Sequence, residues 1–379
     1  MKKIFITLFL LSSFAIINAQ KVKTDDQKLS FEFSGYVNLN TIFDFNGLDN
    51  YDDFTTSEIP LDPTPYDKTF RFHMTAQQSR LNFGVNYLTP WGNLKGFVSG
   101  DFASGNNALF RLRQAYLELG PLLLGQANTT FGNPNVVPAT IDFEGPNSAT
   151  TLRNPMIRYS NKIAKGFSYI IAIEMRGTDR KPLMVGGKVV EKEFNAMPAL
   201  VATINKESDW GVVSLSGTVS NARFFNVDSI EKNTIGYGGA FSAIIKTWGK
   251  NNHFNFFFIA GKGISNFIND LSGNGYNGVP DIANNKLVLL NSMGGFVSYT
   301  QNWNSKLSSN FIFSYIHLEK TDLLTAEDFN YSNYALANLF YSPFKKLNFG
   351  VEYIWGELFV QDNQNGDANR LQFLAQFTF

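Results

Sequence analysis

The sequence predicts an all-β protein, a transmembrane antiparallel β-barrel of about 16 strands. Three observations predict it. Segments of about ten residues alternate apolar and polar side chains, as a strand with one greasy and one wet face must. The connections between them alternate short and long, as expected when turns face one side of a membrane and loops the other. The last segment runs to the final residue, with Leu371, Phe373, Ala375, Phe377 and Phe379 on one face and Arg370, Gln372, Leu374, Gln376 and Thr378 on the other.

In chain order, residues 1–19 read as a cleaved signal peptide. Met1, Lys2 and Lys3 form the positive end, Ile4 to Ile17 the apolar stretch, and cleavage is expected after Ala19. Gln20 to Ser30 is expected to be a short periplasmic segment, and residues 31–379 the barrel. Beyond the signal there is no run of 18 or so apolar residues, so no helical span is expected. The chain nevertheless carries 37 Phe and 15 Tyr, a mixture suited to one lipid-facing side. It has no cysteine, which excludes disulfides and thiolate metal sites, and zero formal charge, which argues against nucleic acid as a partner.

The first strand spans 31–45: Phe31, Phe33, Val37, Leu39 and Phe43 oppose Glu32, Ser34, Asn38, Asn40 and Asp44. The same alternation predicts strands at 70–88, 94–103, 109–119, 122–128, 152–161, 167–176, 196–206, 211–221, 234–246, 253–261, 290–302, 307–319, 331–343, 347–357 and 370–379. In 109–119 the alternation slips: Leu117 and Leu119 fall on the face of Arg111, so a bulge or a subunit contact is expected there. Trp91, Trp210, Trp248 and Trp303 all fall in the tight turns, which suggests a membrane-interface girdle at one rim. Unpaired backbone groups are not tolerated in hydrocarbon, so the first and last strands must pair and close the ring. A ring of this size leaves an aqueous lumen.

The stretch from Arg80 to Ser160 carries a recognisable set of motifs. They are Ser79-Arg80-Leu81, Gly100-Asp101-Phe102, Arg111-Leu112-Arg113-Gln114-Ala115-Tyr116, Leu124-Gly125-Gln126, Phe131, Pro138 through Pro146 including Asp142-Phe143-Glu144-Gly145, and Ile157-Arg158-Tyr159. They resemble the DcaP-type porins of Gram-negative outer membranes. About a fifth of the chain matches strongly and the rest by barrel pattern. The resemblance implies a homotrimer and passive uptake of small hydrophilic solutes, expected to be anions such as dicarboxylates. Family members often carry an N-terminal coiled coil. Gln20 to Ser30 has no heptads, so trimer contacts are expected to rest on the barrel walls.

Selectivity is expected at the third outer connection, 129–151, read as an inward-folded third outer loop by its resemblance to the general porins; it holds Asp142 and Glu144 among prolines and glycines. Arg80, Arg111, Arg113, Arg153 and Arg158 flank it at positions read as inward-facing. Guanidinium presents a permanently charged fork that suits carboxylates. These arginines are expected to bind solute, to anchor the loop through Asp142 and Glu144, or both. The string from Asp270 through Ser272 and Asn274 to Asp281 matches calcium-loop spacing, but it lacks flanking helices and a final Glu. His73, His253 and His317 are isolated, and no serine nucleophile motif accompanies them. The alternatives to a porin are an outer-membrane barrel enzyme of phospholipase or protease type and a surface adhesin. The chain is too short for a plug within a wider barrel.

Overall fold

Outward positions of the strands are apolar and exposed while inward positions are polar and buried, the inverse of a soluble sheet. On the first strand Phe33, Val37 and Leu39 are exposed, whereas Asn38, Asn40 and Asp44 are buried. The computed structural model describes residues 22–23, 28–45, 48–65, 70–103, 108–177, 183–185, 188–194, 197–226, 229–249, 251–281 and 283–379. The expected signal peptide at 1–19 lies outside the described residues, as does most of the segment 20–30.

Sixteen antiparallel strands form a closed ring. They are β1 (Leu29–Asp44), β2 in two parts (Arg71–Thr75 and Arg80–Thr89), β3 (Gly92–Asp101), β4 (Arg111–Leu119), β5 (Leu122–Asn128), β6 (Arg153–Ala164), β7 (Phe167–Glu174) and β8 (Ala199–Ser208). The second half comprises β9 (Gly211–Asn226), β10 (Ser229–Lys246), β11 (His253–Lys262), β12 (Asn291–Asn302), β13 (Leu307–Leu318), β14 (Phe329–Phe344), β15 (Leu347–Val360) and β16 (Asn365–Thr378). Closure is made by β1 and β16, whose register runs from Tyr36 opposite Thr378 to Asp44 opposite Arg370. Terminal Phe379 exchanges backbone hydrogen bonds with Gly35, so the C-terminus is sewn into the wall.

Two irregularities shape the wall beside the site. Between Thr75 and Arg80, β2 carries one residue more than the facing part of β1, from Asn40 back to Tyr36. In β4, Leu112 faces Gly100 and Gln114 faces Ser99, leaving Arg113 as an extra residue. This bulge explains the slipped alternation: Leu112 and Leu117 both face outward despite opposite parity. It also places Arg111 and Arg113 on one carboxylate.

Some connections differ from those predicted. The break expected at 222–233 is instead two strands running on through Asn226 and from Ser229, because Arg223, Phe224 and their neighbours keep pairing beyond the apolar band. The expected loop 177–195 contains strands Leu183–Val185 and Lys188–Phe194, the second of which pairs with β9. The connection after β11 holds two single-turn 3₁₀ helices, Ser265–Phe267 and Asn269–Leu271, and a hairpin of Gly278–Asp281 with Lys286–Leu289. Among the described residues no helix is long and apolar enough to cross a membrane.

The lumen is not uniformly wet. Residues 48–65 (loop 1), 129–152 (loop 3) and 263–290 (loop 6) meet inside the ring around a dry core. Leu48, Phe54 and Ile59, then Phe131, Val136 and Ala149, then Ile264, Phe267, Ile268 and Leu271 pack with inward Ile316, Tyr334, Ile354 and Leu358 of the wall. Each large side chain buried this way contributes about 1.5–3 kcal/mol relative to exposure. Glycines on the inner wall make room for the loops. A Cβ on Gly356 would lie 2.6 Å from Phe54, and one on Gly366 would lie 2.2 Å from the Pro60 carbonyl oxygen.

Candidate functional site

Loop 3 is held along the inner wall by side chains that the strands aim inward. At its start Glu174 of β7 accepts from Thr129 Oγ1 and Thr130 N, both at 2.6 Å. Asn255 of β11 donates to the Val136 carbonyl at 2.8 Å, and Asn310 of β13 and Asn338 of β14 each donate to the Ala139 carbonyl at 2.9 Å. Glu352 of β15 accepts from the backbone N–H groups of Ile141 and Asp142, at 2.8 and 2.7 Å. Asn147 donates to Ser332 Oγ at 3.0 Å, and Ser148 and Ser314 share a hydroxyl contact of 2.7 Å. A buried loop needs such partners for its backbone groups.

The expected arginines occupy the opposite wall. Asp101, fully buried at the end of β3, takes Arg111 in a two-pronged contact (Nε 3.0 Å, Nη2 3.2 Å) and Arg113 Nη1 at 2.6 Å. Arg80 Nη2 stands 3.8 Å from the same carboxylate, and its guanidinium lies 5.4 Å from the Tyr36 ring. Phe143, from loop 3, presents its ring to Arg111 and Arg113 at 5.3 and 5.1 Å. This cation–π contact joins the loop to the arginine wall.

Arg153 and Arg158 are five residues apart, so parity alone would send them to opposite faces of a regular strand. Asn154 and Met156 are buried on the inner face, and Ile157 points out, exposed. Arg158 lines a cavity inside the ring. Arg153, the first residue of β6, lies within electrostatic reach of Arg113, Arg80, Arg111 and Asp101. Arg158 makes no hydrogen bond or ion pair among the described residues, and its Nε is buried without a partner.

That cavity has a volume of about 940 Å³ and lies between the wall of β4–β9 and the first residues of loop 3. Arg158, Lys162, Lys165 and Glu207 line it, with Ser160, Asn205 and Ser214 among the polar residues. A smaller recess of about 200 Å³ lies beside Arg80, Asp142 and Phe143.

The two acids of loop 3 do not pair with the arginines as expected. Asp142 accepts from Phe54 N and from the Tyr334 hydroxyl, each at 3.0 Å, and Glu144 accepts from Thr55 Oγ1 at 3.2 Å. Both turn toward loop 1 and the β14 side. Burial pushes the Asp142 carboxyl above the usual range against the pull of Arg370. Burial, together with the charges of Asp270, Asp53 and Asp142, pushes Glu144 well up. The arginines were legible as a group. Their shared counter-ion Asp101 lies in the Gly100-Asp101-Phe102 motif, and an Asp facing Arg111 across a hairpin is a readable cross-strand pair.

The calcium-like string does not form a metal loop. Asp270 Oδ2 is taken by the backbone N–H and hydroxyl of Thr56, and Asn274 Nδ2 donates to the Asp270 carbonyl. Asp281 belongs to a separate hairpin, where it accepts from Asn284 N and Nδ2 and pairs with Lys286 at 3.5 Å. Asp270 and Asp281 thus point into different parts of loop 6, and no cluster of three or more metal-ligating side chains occurs among the described residues. The histidines do not converge. His73 stacks on Tyr51 at 4.3 Å, His253 Nδ1 contacts the Asn251 carbonyl, and His317 lies on β13. Trp91, Trp210, Trp248 and Trp303 are exposed in or beside the tight turns at one rim, and Trp303 donates to Ser309 Oγ at 3.0 Å.

Comparisons with known proteins fit this geometry. A family model described as DcaP outer membrane protein matches residues 7–379. The outer membrane channel DcaP of Acinetobacter baumannii superimposes with a TM-score of 0.81 at 22% identity, covering 96% of this chain and 100% of that one. The anion-selective porin of Comamonas acidovorans gives 0.59 at 10% identity over 93% and 100%. A trimer form of OmpT from Vibrio cholerae gives 0.56 at 10% identity over 93% and 100%. Comparison with curated protein sequences finds no match.

Proposed function

The chain belongs to the DcaP outer membrane protein family, and from that premise we propose that it is a porin for small anionic solutes of the dicarboxylate type. The observation that carries this reading is the separation of charge across the ring. Arg80, Arg111 and Arg113 gather around the single carboxylate of Asp101 with Arg153 within electrostatic reach, Arg158 lines the cavity further along the same β2–β6 side, and Asp142 and Glu144 turn away into loop contacts. A water path along β4–β9 therefore runs past a positive wall, and a confined path lined by one sign of charge steers the opposite sign.

In this reading loop 3 and the arginines form the constriction. Arg158, with Lys162, supplies the most available anion contact because Asp101 satisfies much of Arg111 and Arg113. Phe143 and Asp101 hold those two guanidiniums in place. Trp91, Trp210, Trp248 and Trp303 anchor the short-turn rim at the lipid interface. The chain reaches a Gram-negative outer membrane after signal-directed export and assembles as a homotrimer through its outer walls. The trimer form of the structurally similar OmpT and the anion selectivity of the Comamonas porin support this reading. The test is the zero-current potential of the purified channel in a planar bilayer under a potassium chloride gradient. An anion-signed potential is expected, and a cation-signed one overturns the selectivity.

A further inference from the structure

Loops 1, 3 and 6 bring carboxylates together from three directions, and few cations come with them. Loop 1 supplies Asp52, Asp53 and Glu58, loop 3 supplies Asp142 and Glu144, loop 6 supplies Asp270, and the wall adds Glu352 of β15. The cations that act on them are already engaged: Arg370 of β16 holds Asp44 of β1 at 2.6 Å, and Arg111 holds Asp101. From β14 the group receives the Tyr334 hydroxyl, a donor to Asp142.

The acids are also what ties the loops together. Asp142 of loop 3 receives the Phe54 N–H of loop 1, Glu144 of loop 3 receives the Thr55 hydroxyl of loop 1, and Asp270 of loop 6 receives Thr56 of loop 1. A second observation is the Oδ1 atom of Asp270. The residue is 1% exposed, and this oxygen has no hydrogen-bond partner. A charged oxygen bare of donors in such a place is expensive, whereas a protonated one is not.

We propose that protons hold this three-loop seal: bound protons neutralise the carboxylates of loops 1, 3 and 6, and their loss lets the loops part and widens the lumen. Burial raises Asp270 to about 7, and burial with the neighbouring charges of Asp142 and Asp52 raises Asp53 to about 7. The sealed state therefore binds protons more tightly than parted loops, whose acids titrate near 4. The seal is strongest below that range, weakens as the pH climbs from about 4 to about 7, and levels off above. This inference goes beyond solute choice and does not depend on which ion the channel prefers.

The chain contains no cysteine, so single cysteines report cleanly. Ala149→Cys sits in the seal at 0% exposure, and Ser272→Cys on the exposed side of loop 6 serves as the control for thiol ionisation. The measurement is the maleimide labelling rate at position 149 divided by that at 272, at pH 5 and pH 8, in the full-length protein in detergent. The ratio is expected to rise by about tenfold or more, since one pKa unit of coupling corresponds to tenfold. The rise is expected to shrink severalfold when Glu144→Gln and Asp270→Asn remove two of the titrating groups. Asp53→Asn, on the half-buried side, provides a milder variant in case the pair disturbs folding, and it is expected to reduce the rise. A flat ratio in the otherwise native protein overturns the proposal, as does an undiminished rise in the variants.

Discussion

Asp101→Asn is the substitution that most sharply separates a scaffold role for the arginines from a solute role. Asp101 is wholly buried and serves Arg111, Arg113 and, at longer range, Arg80. Asparagine keeps an oxygen for Arg113 but removes the negative charge these arginines share, so the group of Arg80, Arg111, Arg113 and residue 101 changes from a net +2 to a net +3. Removing one partner from a buried ion pair costs about 3–5 kcal/mol. Arg111 is 37% exposed and Arg80 25%, so solvent screens their share and the loss of barrel stability is expected at or below the bottom of that range. For a permeating ion at roughly 8 Å, one added unit charge is worth about 0.5 kcal/mol at water's dielectric and about 2 kcal/mol at an effective value near 20. The anion-to-cation permeability ratio is therefore expected to rise about twofold or more in 0.1 M salt. In 1 M salt the gain should shrink, because the screening length there is only about 3 Å. The assay is the zero-current potential of single channels at both salt concentrations, with resistance of the barrel to heat in detergent as the folding check. A ratio that stays the same or falls at 0.1 M in a folded variant refutes the reasoning.

Arg158→Gln removes the unpaired guanidinium from the 940 Å³ cavity, and it is expected to lower anion preference about twofold while leaving thermal stability unchanged. Ser148→Cys with Ser314→Cys should oxidise readily, because the two hydroxyl oxygens are 2.7 Å apart. The staple is expected to add about 2–4 kcal/mol of stability. It should leave conductance at pH 5 unaltered, whereas a large drop on oxidation would place loop 3 elsewhere in the working channel. Gly366→Val sets a side chain against the Pro60 carbonyl, where backbone cannot yield, so loop 1 is expected to lose its seat and conductance to rise. Glu352→Ala strips acceptors from the buried N–H groups of Ile141 and Asp142, at about 1–3 kcal/mol for each group left bare, and should lower the melting temperature measurably.

Much of the barrel was legible because lipid forces one periodicity on every strand. Phe33, Val37 and Leu39 face outward for the same reason as Phe373 and Phe377, and the tight turns after even-numbered strands follow from the topology. The outer connections were harder. Strands β9 and β10 run on past the apolar band, where polar residues pair as well as greasy ones and the alternation no longer reports membrane. The inner face was misread in kind. Asn255, Asn310 and Asn338 look like water-facing residues, yet each caps a carbonyl of loop 3. Nothing local distinguishes an amide facing water from one facing a folded-in loop. Ile316, Ile354 and Leu358, apolar at inward positions, were the signal that part of the lumen is dry. The arginines were visible by type, but a bulge set the geometry of Arg113, and the turn of Asp142 toward Phe54 and Tyr334 depends on contacts 88 and 192 residues away.

The central claim is that water and solute pass along the β4–β9 wall, while the β12–β15 side of the lumen is sealed by loops. Cysteine substitution in the cysteine-free chain tests it directly. Ser160→Cys lies in the cavity lining, and Ser332→Cys lies fully buried beneath loops 1 and 3. A negatively charged methanethiosulfonate added during single-channel recording at pH 5 is predicted to reduce the current through Ser160→Cys and to leave Ser332→Cys untouched. Current lost at position 332 with none lost at 160 would contradict the account.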